Sequence, residues 1–291
     1  MKKLRGTGVA VVTPFNEAGN IDLHALRRII EYLIEEKVEY FVVLGTTGES
    51  VTLTESEQKL VIDTFFEVNQ GRLPIVIGVG GNNTRELCQK VAEISGKYKP
   101  DALLSVSPYY NKPTQAGIYE HYKAIAKSTD LPIILYNVPG RTAANMAAAT
   151  TLSLAHDFAN IVAIKEASAD LLQCMQIVKE CPKDFMLISG DDILTLPIIS
   201  IGGVGVISVV ANALPQEIGS MVRYGLKGDT VQAQHLHYKL LALMNLTFEE
   251  GNPAGIKAIM ASRRLCAAFV RLPLLQATED LTNRIQKELT R

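Results

Sequence analysis

Short runs of branched apolar residues recur along this chain at 9–14, 40–44, 75–79, 102–106, 133–136, 161–164, 185–188 and 204–210. Their starts lie roughly 20–35 residues apart, the length of one strand–helix unit. Each run is short enough for a strand buried on both faces and too short for a helix. Amphipathic stretches fill the gaps. Within 22–36, Leu23, Leu26, Ile29, Ile30, Leu33 and Ile34 share one helical face. Thr54 followed by Glu57 is a capping box that opens a helix over 55–69. The stretches 84–97, 114–128 and 170–181 behave similarly, and Pro74 and Pro132 mark strand entries.

Eight strands alternating with helices are an α/β chain with two candidate architectures, an open doubly wound sheet or a closed (β/α)8 TIM barrel. The open sheet that binds dinucleotides carries GxGxxG after its first strand. Here Thr13-Pro14-Phe15-Asn16 stands there instead. Gly78-Val79-Gly80-Gly81 lacks the third glycine at the required spacing, and no GxxxxGK[ST] occurs. The barrel is therefore the expected fold, and 291 residues suit one barrel. The strands and their helices should occupy 1–215, with the last barrel helix and a C-terminal helical extension over 216–291.

The 29 basic and 30 acidic residues leave a net charge of -1, which gives no electrostatic footprint for nucleic acid or an anionic membrane. Cys88, Cys174, Cys181 and Cys266 contain no CxxC pair and read as thiols in a reducing compartment. The basic start Met1-Lys2-Lys3-Leu4-Arg5 precedes an apolar stretch too short for a signal peptide, so a cytoplasmic location is expected. The uncharged segment 193–216 is long enough to span a bilayer. Pro197, Gly202, Gly203 and Gly205 cut it into a short helix over 194–201, a turn and a strand.

Barrel enzymes place their chemistry at the C-terminal ends of the strands. One such end reads Ile161-Val162-Ala163-Ile164-Lys165-Glu166. An amine at the end of a buried strand is desolvated, which favours its neutral form. Neutral amines attack carbonyls and form Schiff bases. The plainer alternative is a lysine that snorkels into water. Tyr136 holds a near-equivalent position on the preceding strand, and neighbouring strands lie ~4.8 Å apart. A tyrosine there can move the protons of carbinolamine formation, or it can simply pack its ring in the core. Asp191-Asp192 has no histidine near it and only Glu49 and Glu166 as carboxylates at other strand ends. The pair reads as loop hydrogen bonding, and no metal site is expected.

Five segments together resemble the dihydrodipicolinate synthase family of class I pyruvate-dependent aldolases and lyases. They are Gly45-Thr46-Thr47-Gly48-Glu49, Pro108-Tyr109-Tyr110-Asn111, Tyr136-Asn137-Val138-Pro139-Gly140-Arg141-Thr142, Ile164-Lys165-Glu166 and Gly205-Val206-Ile207-Ser208. They occur in the family's order and spacing over nearly the whole chain. The resemblance implies that Lys165 forms a Schiff base with pyruvate and that Tyr136 shuttles protons beside it. Thr46 and Tyr110 extend that relay, Thr47 holds the pyruvate carboxylate, and Ile207 and Gly190 line the substrate pocket. Arg141 receives the carboxylate of aspartate semialdehyde, a role its forked guanidinium suits. No metal or organic cofactor is implied, because the lysine is the electron sink.

The resemblance also implies a homotetramer, a dimer of dimers, with Tyr110 reaching into the neighbouring site. Inhibited family members bind lysine at that dimer interface. The matching positions here are Ser50, Val51, Glu55, Gln58, Asn82, Glu86 and Tyr109. Those relatives carry His at the places of Glu55 and Gln58, and Glu55 supplies an acceptor instead. Two other functions remain open. One is another pyruvate lyase, such as N-acetylneuraminate lyase or a keto-deoxy sugar acid aldolase, against which Arg141 argues. The other is a non-catalytic barrel sensor, against which the retention of Lys165, Tyr136 and Tyr110 argues.

Overall fold

The computed structural model describes residues 2–291. Eight parallel strands, β1 (Gly6–Ala10), β2 (Tyr40–Val43), β3 (Ile75–Val79), β4 (Ala102–Val106), β5 (Ile133–Asn137), β6 (Ile161–Glu166), β7 (Met186–Ser189) and β8 (Gly205–Ser208), form a closed barrel in that order. Helices alternate with them as expected. After β8 come Pro215–Lys227, Thr230–Glu249, Ala254–Ser262 and Glu279–Leu289, so the barrel carries extra C-terminal helices. No described helix is long and apolar enough to cross a membrane.

The chain groups into two compact units. One contains Pro74–Ile207, and the other contains Gly6–Leu73 with Ser208–Arg291. In the first, the ladder runs from β3 to β7 with pairings such as Leu104↔Ile134 and Ile164↔Leu187, and its register shifts once, between Ile133 and Ile134 where β5 meets β6. Its core is the branched residues of these strands, with Ile77, Leu103, Ile134 and Ile164 fully buried. In the second, β1 pairs with β2, and the C-terminal helices complete the core around Ile256, Ile259 and Leu281.

Helix starts follow local capping. Asp22 accepts from Ala25 N, and Thr54 and Glu57 form the reciprocal capping box expected from the sequence. The helices Glu55–Asn69 and Thr84–Lys97 have the expected bounds.

Three strands depart from their apolar runs by two residues or more. β1 lies upstream of 9–14. Its Gly8 pairs with Tyr40, and a Cβ on Gly8 would sit 2.1 Å from the Tyr40 ring. Beyond it, Val12 N leaves the ladder and donates to Asn212 Oδ1 at 3.0 Å. β8 stops at Ser208, whose Oγ accepts from Ala211 N at 2.9 Å and so starts the 3-10 turn Val210–Asn212. β6 runs two residues past its apolar run and takes Lys165 and Glu166 into the strand.

Candidate active site

Lys165 and Tyr136 are register partners across β6 and β5. Facing positions on adjacent strands carry their side chains to the same side of the sheet. The Lys165 Nζ lies 4.2 Å from the centre of the Tyr136 ring. Both are buried, at 5% and 7% exposure. Their neighbourhood has been cleared of side chain on one side. A Cβ on Gly190 would meet Ala167 Cβ at 2.8 Å and Lys165 Cε at 3.1 Å. Gly190 N also donates to Glu166 O at 2.8 Å, which brings the end of β7 against the lysine stem. The glycine therefore sets the path of the Lys165 side chain.

The next register pair, Asn137 and Glu166, is a polar lock. The Glu166 carboxylate is 1% exposed. It accepts from Asn137 Nδ2 at 3.0 Å, Gln173 Nε2 at 2.9 Å and Ser168 N at 2.8 Å. Burial pushes its carboxyl above the ordinary value, against the pull of Gln173, Asn137 and Ser168. Asn137 also donates to Asn145 Oδ1 and accepts from Met146 N. This staples the loop after β5, which contains the four-residue helix Pro139–Thr142 and exposed Arg141. Asn137, Asn145 and Gln173 escaped the sequence analysis as site residues. The signal was present in Asn137, which stands inside the Tyr136-to-Thr142 segment.

Ile207 ends the first unit on β8 and is 1% exposed. Tyr109 and Tyr110 lie beyond β4. Asn82 Oδ1 accepts from Tyr109 N at 3.0 Å. Tyr110 takes a left-handed backbone, φ 68°, and its side chain stands 90% exposed. Within this chain it does not join the buried lysine and tyrosine. Glu86 is exposed in the first turn of Thr84–Lys97.

In the second unit, the segment 45–50 folds as tight turns past the end of β2. Gly48 N donates to Gly45 O and Glu49 N to Thr46 O. Gly48 keeps this turn uncrowded, since a Cβ would lie 3.0 Å from Val11 O. Thr46 is exposed and Thr47 is buried at 2% exposure. Thr47 Oγ1 accepts from Asn252 Nδ2 at 2.9 Å. Glu49 meets Lys257 Nζ at 2.6 Å, both side chains being at most 1% exposed. Burial pushes the Lys257 ammonium below its ordinary value, against the pull of the Glu49 charge. Lys257 was missed too, although one lysine within Ala254-Gly255-Ile256-Lys257-Ala258-Ile259-Met260 marks a buried cation. Of the remaining expected positions, Val51 is 85% exposed and Glu55 pairs with Lys59 at 3.0 Å. Gln58 donates to Ser50 O and Leu53 O.

Among the described residues, no group of three or more His, Cys, Asp or Glu side chains is placed to hold a metal. Asp191 Oδ1 accepts from Ile193 N and Leu194 N, the loop bonding expected of it. The arrangement is a buried amine beside a phenol at the C-terminal ends of adjacent barrel strands, a setting for carbonyl chemistry.

Comparison with known proteins agrees with that setting. A profile of the Dihydrodipicolinate synthetase family matches residues 3–291. The 4-hydroxy-tetrahydrodipicolinate synthase of Flavobacterium psychrophilum is 52% identical over 98% of this chain and 97% of its own. A chloride-inhibited dihydrodipicolinate synthase from Acinetobacter baumannii, complexed with pyruvate, is 37% identical. It superposes with a TM-score of 0.94 over 99% of this chain and 98% of that one. A synthase from Cyanidioschyzon merolae with lysine bound is 36% identical, again at 0.94 over 99% and 98%. With its barrel, its paired lysine and tyrosine and a match over residues 3–291, this chain belongs to the dihydrodipicolinate synthetase family.

Proposed function

We propose that this chain is a 4-hydroxy-tetrahydrodipicolinate synthase, a lyase that joins pyruvate to L-aspartate 4-semialdehyde through a Schiff base on Lys165. The observation that carries the reading is the register of β5 and β6, which sets a buried amine against a buried phenol. The Lys165 nitrogen attacks the pyruvate ketone carbon, and Tyr136 protonates the departing hydroxyl, which leaves as water. The imine draws electrons from the adjacent methyl group, which loses a proton and becomes an enamine. The enamine carbon attacks the semialdehyde, whose oxygen takes up a proton. The amino group of that substrate then closes on the imine carbon and displaces Lys165.

The other roles follow the family resemblance. Thr47 holds the pyruvate carboxylate, Thr46 and Tyr110 pass protons, and Ile207 and Gly190 line the pocket. Arg141 receives the second substrate's carboxylate, and its exposed place on a stapled loop suits an entrance. That guanidinium favours the synthase over lyases whose substrates are polyols. The exposure of Tyr110 supports a site shared between protomers of a homotetramer. Lysine is the proposed effector at Ser50, Val51, Glu55, Gln58, Asn82, Glu86 and Tyr109. In its favour, Tyr109 N occupies Asn82 Oδ1 and leaves the amide NH2 as a donor for a carboxylate.

Incubation with pyruvate and borohydride should add a reduced pyruvoyl group to the peptide that contains Lys165. Lys165→Ala should abolish the adduct. Labelling that persists on another lysine in that variant would overturn the reading.

A further inference from the structure

The loop that carries Thr47 is held by residues some 200 positions downstream. Asn252 Nδ2 donates to Thr47 Oγ1 at 2.9 Å across a sequence separation of 205. Both side chains are buried, with Asn252 at 6% and Thr47 at 2% exposure. Two residues beyond Thr47, Glu49 Oε1 meets Lys257 and Glu49 Oε2 accepts from Arg271 N at 3.0 Å. Lys257 Nζ also donates to Phe269 O at 2.8 Å. The loop is thus fixed at its hydroxyl and at both oxygens of its carboxylate.

These contacts set more than position. A threonine hydroxyl has one hydrogen to give and lone pairs that accept. The Asn252 amide approaches Thr47 Oγ1 as a donor and occupies its accepting side. The hydroxyl hydrogen is left for a different acceptor. An ionised carboxylate only accepts, so the polarity that Asn252 imposes on Thr47 is the one an anionic substrate needs. A donated hydrogen bond also polarises the O–H group it reaches and makes it a better donor.

We propose that Asn252 is a positioning residue for the 2-oxo acid substrate. It acts through Thr47, whose hydroxyl it presents as a donor to the substrate carboxylate, and the Lys257–Glu49 pair holds the loop in the conformation that lets it do so. The proposal rests on the reading of Thr47 as the carboxylate ligand.

Steady-state kinetics of the full-length enzyme test both layers, using Thr47→Val, Asn252→Ala, the isosteric Asn252→Asp and the double variant Thr47→Val/Asn252→Ala. Asn252→Ala should raise the pyruvate KM about two- to tenfold, the worth of one hydrogen bond, and leave the KM for the semialdehyde unchanged. Asn252→Asp keeps the packing but accepts where Asn252 donates, and it adds a negative charge. It should raise the pyruvate KM further, and it decides the matter if Asn252→Ala does not fold. In the double variant the pyruvate KM should match that of Thr47→Val alone, because Asn252 has no hydroxyl left to orient. Equal KM rises for both substrates, or additive effects in the double variant, would overturn the proposal by making Asn252 a general structural residue. A pyruvate KM raised by Thr47→Val but untouched by either Asn252 variant would overturn it while leaving the reading of Thr47 intact. An unchanged KM in Thr47→Val would overturn both.

Discussion

Lys165 acquires its setting from strand register. Its partner across the ladder is Tyr136, and the residue that makes room for its stem is a glycine just past the end of the following strand. Arg141 has the opposite character. It is exposed on a four-residue helix that is itself tied down by Asn137 and Met146. On the proposed reading, a guanidinium there selects the second substrate and leaves imine formation to Lys165. Arg141→Ala should lower kcat/KM for aspartate semialdehyde by roughly 10- to 100-fold, as expected for a charge-assisted bond worth ~1.5–3 kcal/mol. Borohydride trapping of pyruvate should proceed as in the unaltered enzyme. Equal loss in the two half-reactions would make Arg141 a structural residue.

Between elements, the decisive contact is the one from helix Ala254–Ser262 to the loop after β2. Lys257 lies fully buried with its ammonium on Glu49 and 4.3 Å from the Phe15 ring centre. A buried ion pair gains little over a well-packed apolar pair, but breaking it strands a charge. Lys257→Met should therefore destabilise the fold by ~3–5 kcal/mol. Lys257→Met combined with Glu49→Gln should recover part of that loss, since the amide leaves no bare charge behind. Chemical denaturation of the single and double variants measures this. Strictly additive losses would mean that the two residues act independently and that the pair does not hold the loop.

For the whole molecule, Tyr110 is the residue out of place. Its side chain is 90% exposed and its backbone sits in the left-handed region at φ 68°, a conformation uncommon for a large side chain. If Tyr110 relays protons as proposed, its exposed side chain needs a second copy of the chain to supply its site. Sedimentation should then show an oligomer. Mixing inactive Tyr110→Phe with inactive Lys165→Ala under subunit exchange should restore activity, because some hybrid sites combine an intact lysine with an intact tyrosine. Verified hybrids without activity, or a fully active monomer, would refute the shared site.

The amino-acid sequence alone determined the alternation of strands and helices, and with it the barrel. Those signals are local. An apolar run or a capping box acts within a few residues, which is why Glu55–Asn69 and Thr84–Lys97 begin where Thr54, Glu57 and Asn83 direct them. The lysine, the tyrosine and the glycine-rich loops were legible for the same reason, since each stands in a short distinctive segment. Tertiary structure decided what depends on a distant partner. β1 includes Gly8, a poor strand former, because only a residue without a Cβ admits the Tyr40 ring there. β6 extends through Lys165 and Glu166 because Asn137, Gln173 and Ser168 satisfy a carboxylate that a strand would otherwise exclude. Asn252 and Lys257 meet Thr47 and Glu49 across more than 200 residues. A buried polar group needs a partner, but its own neighbours in the chain do not say which residue that partner will be. Only the closed path of the folded backbone brings the two together.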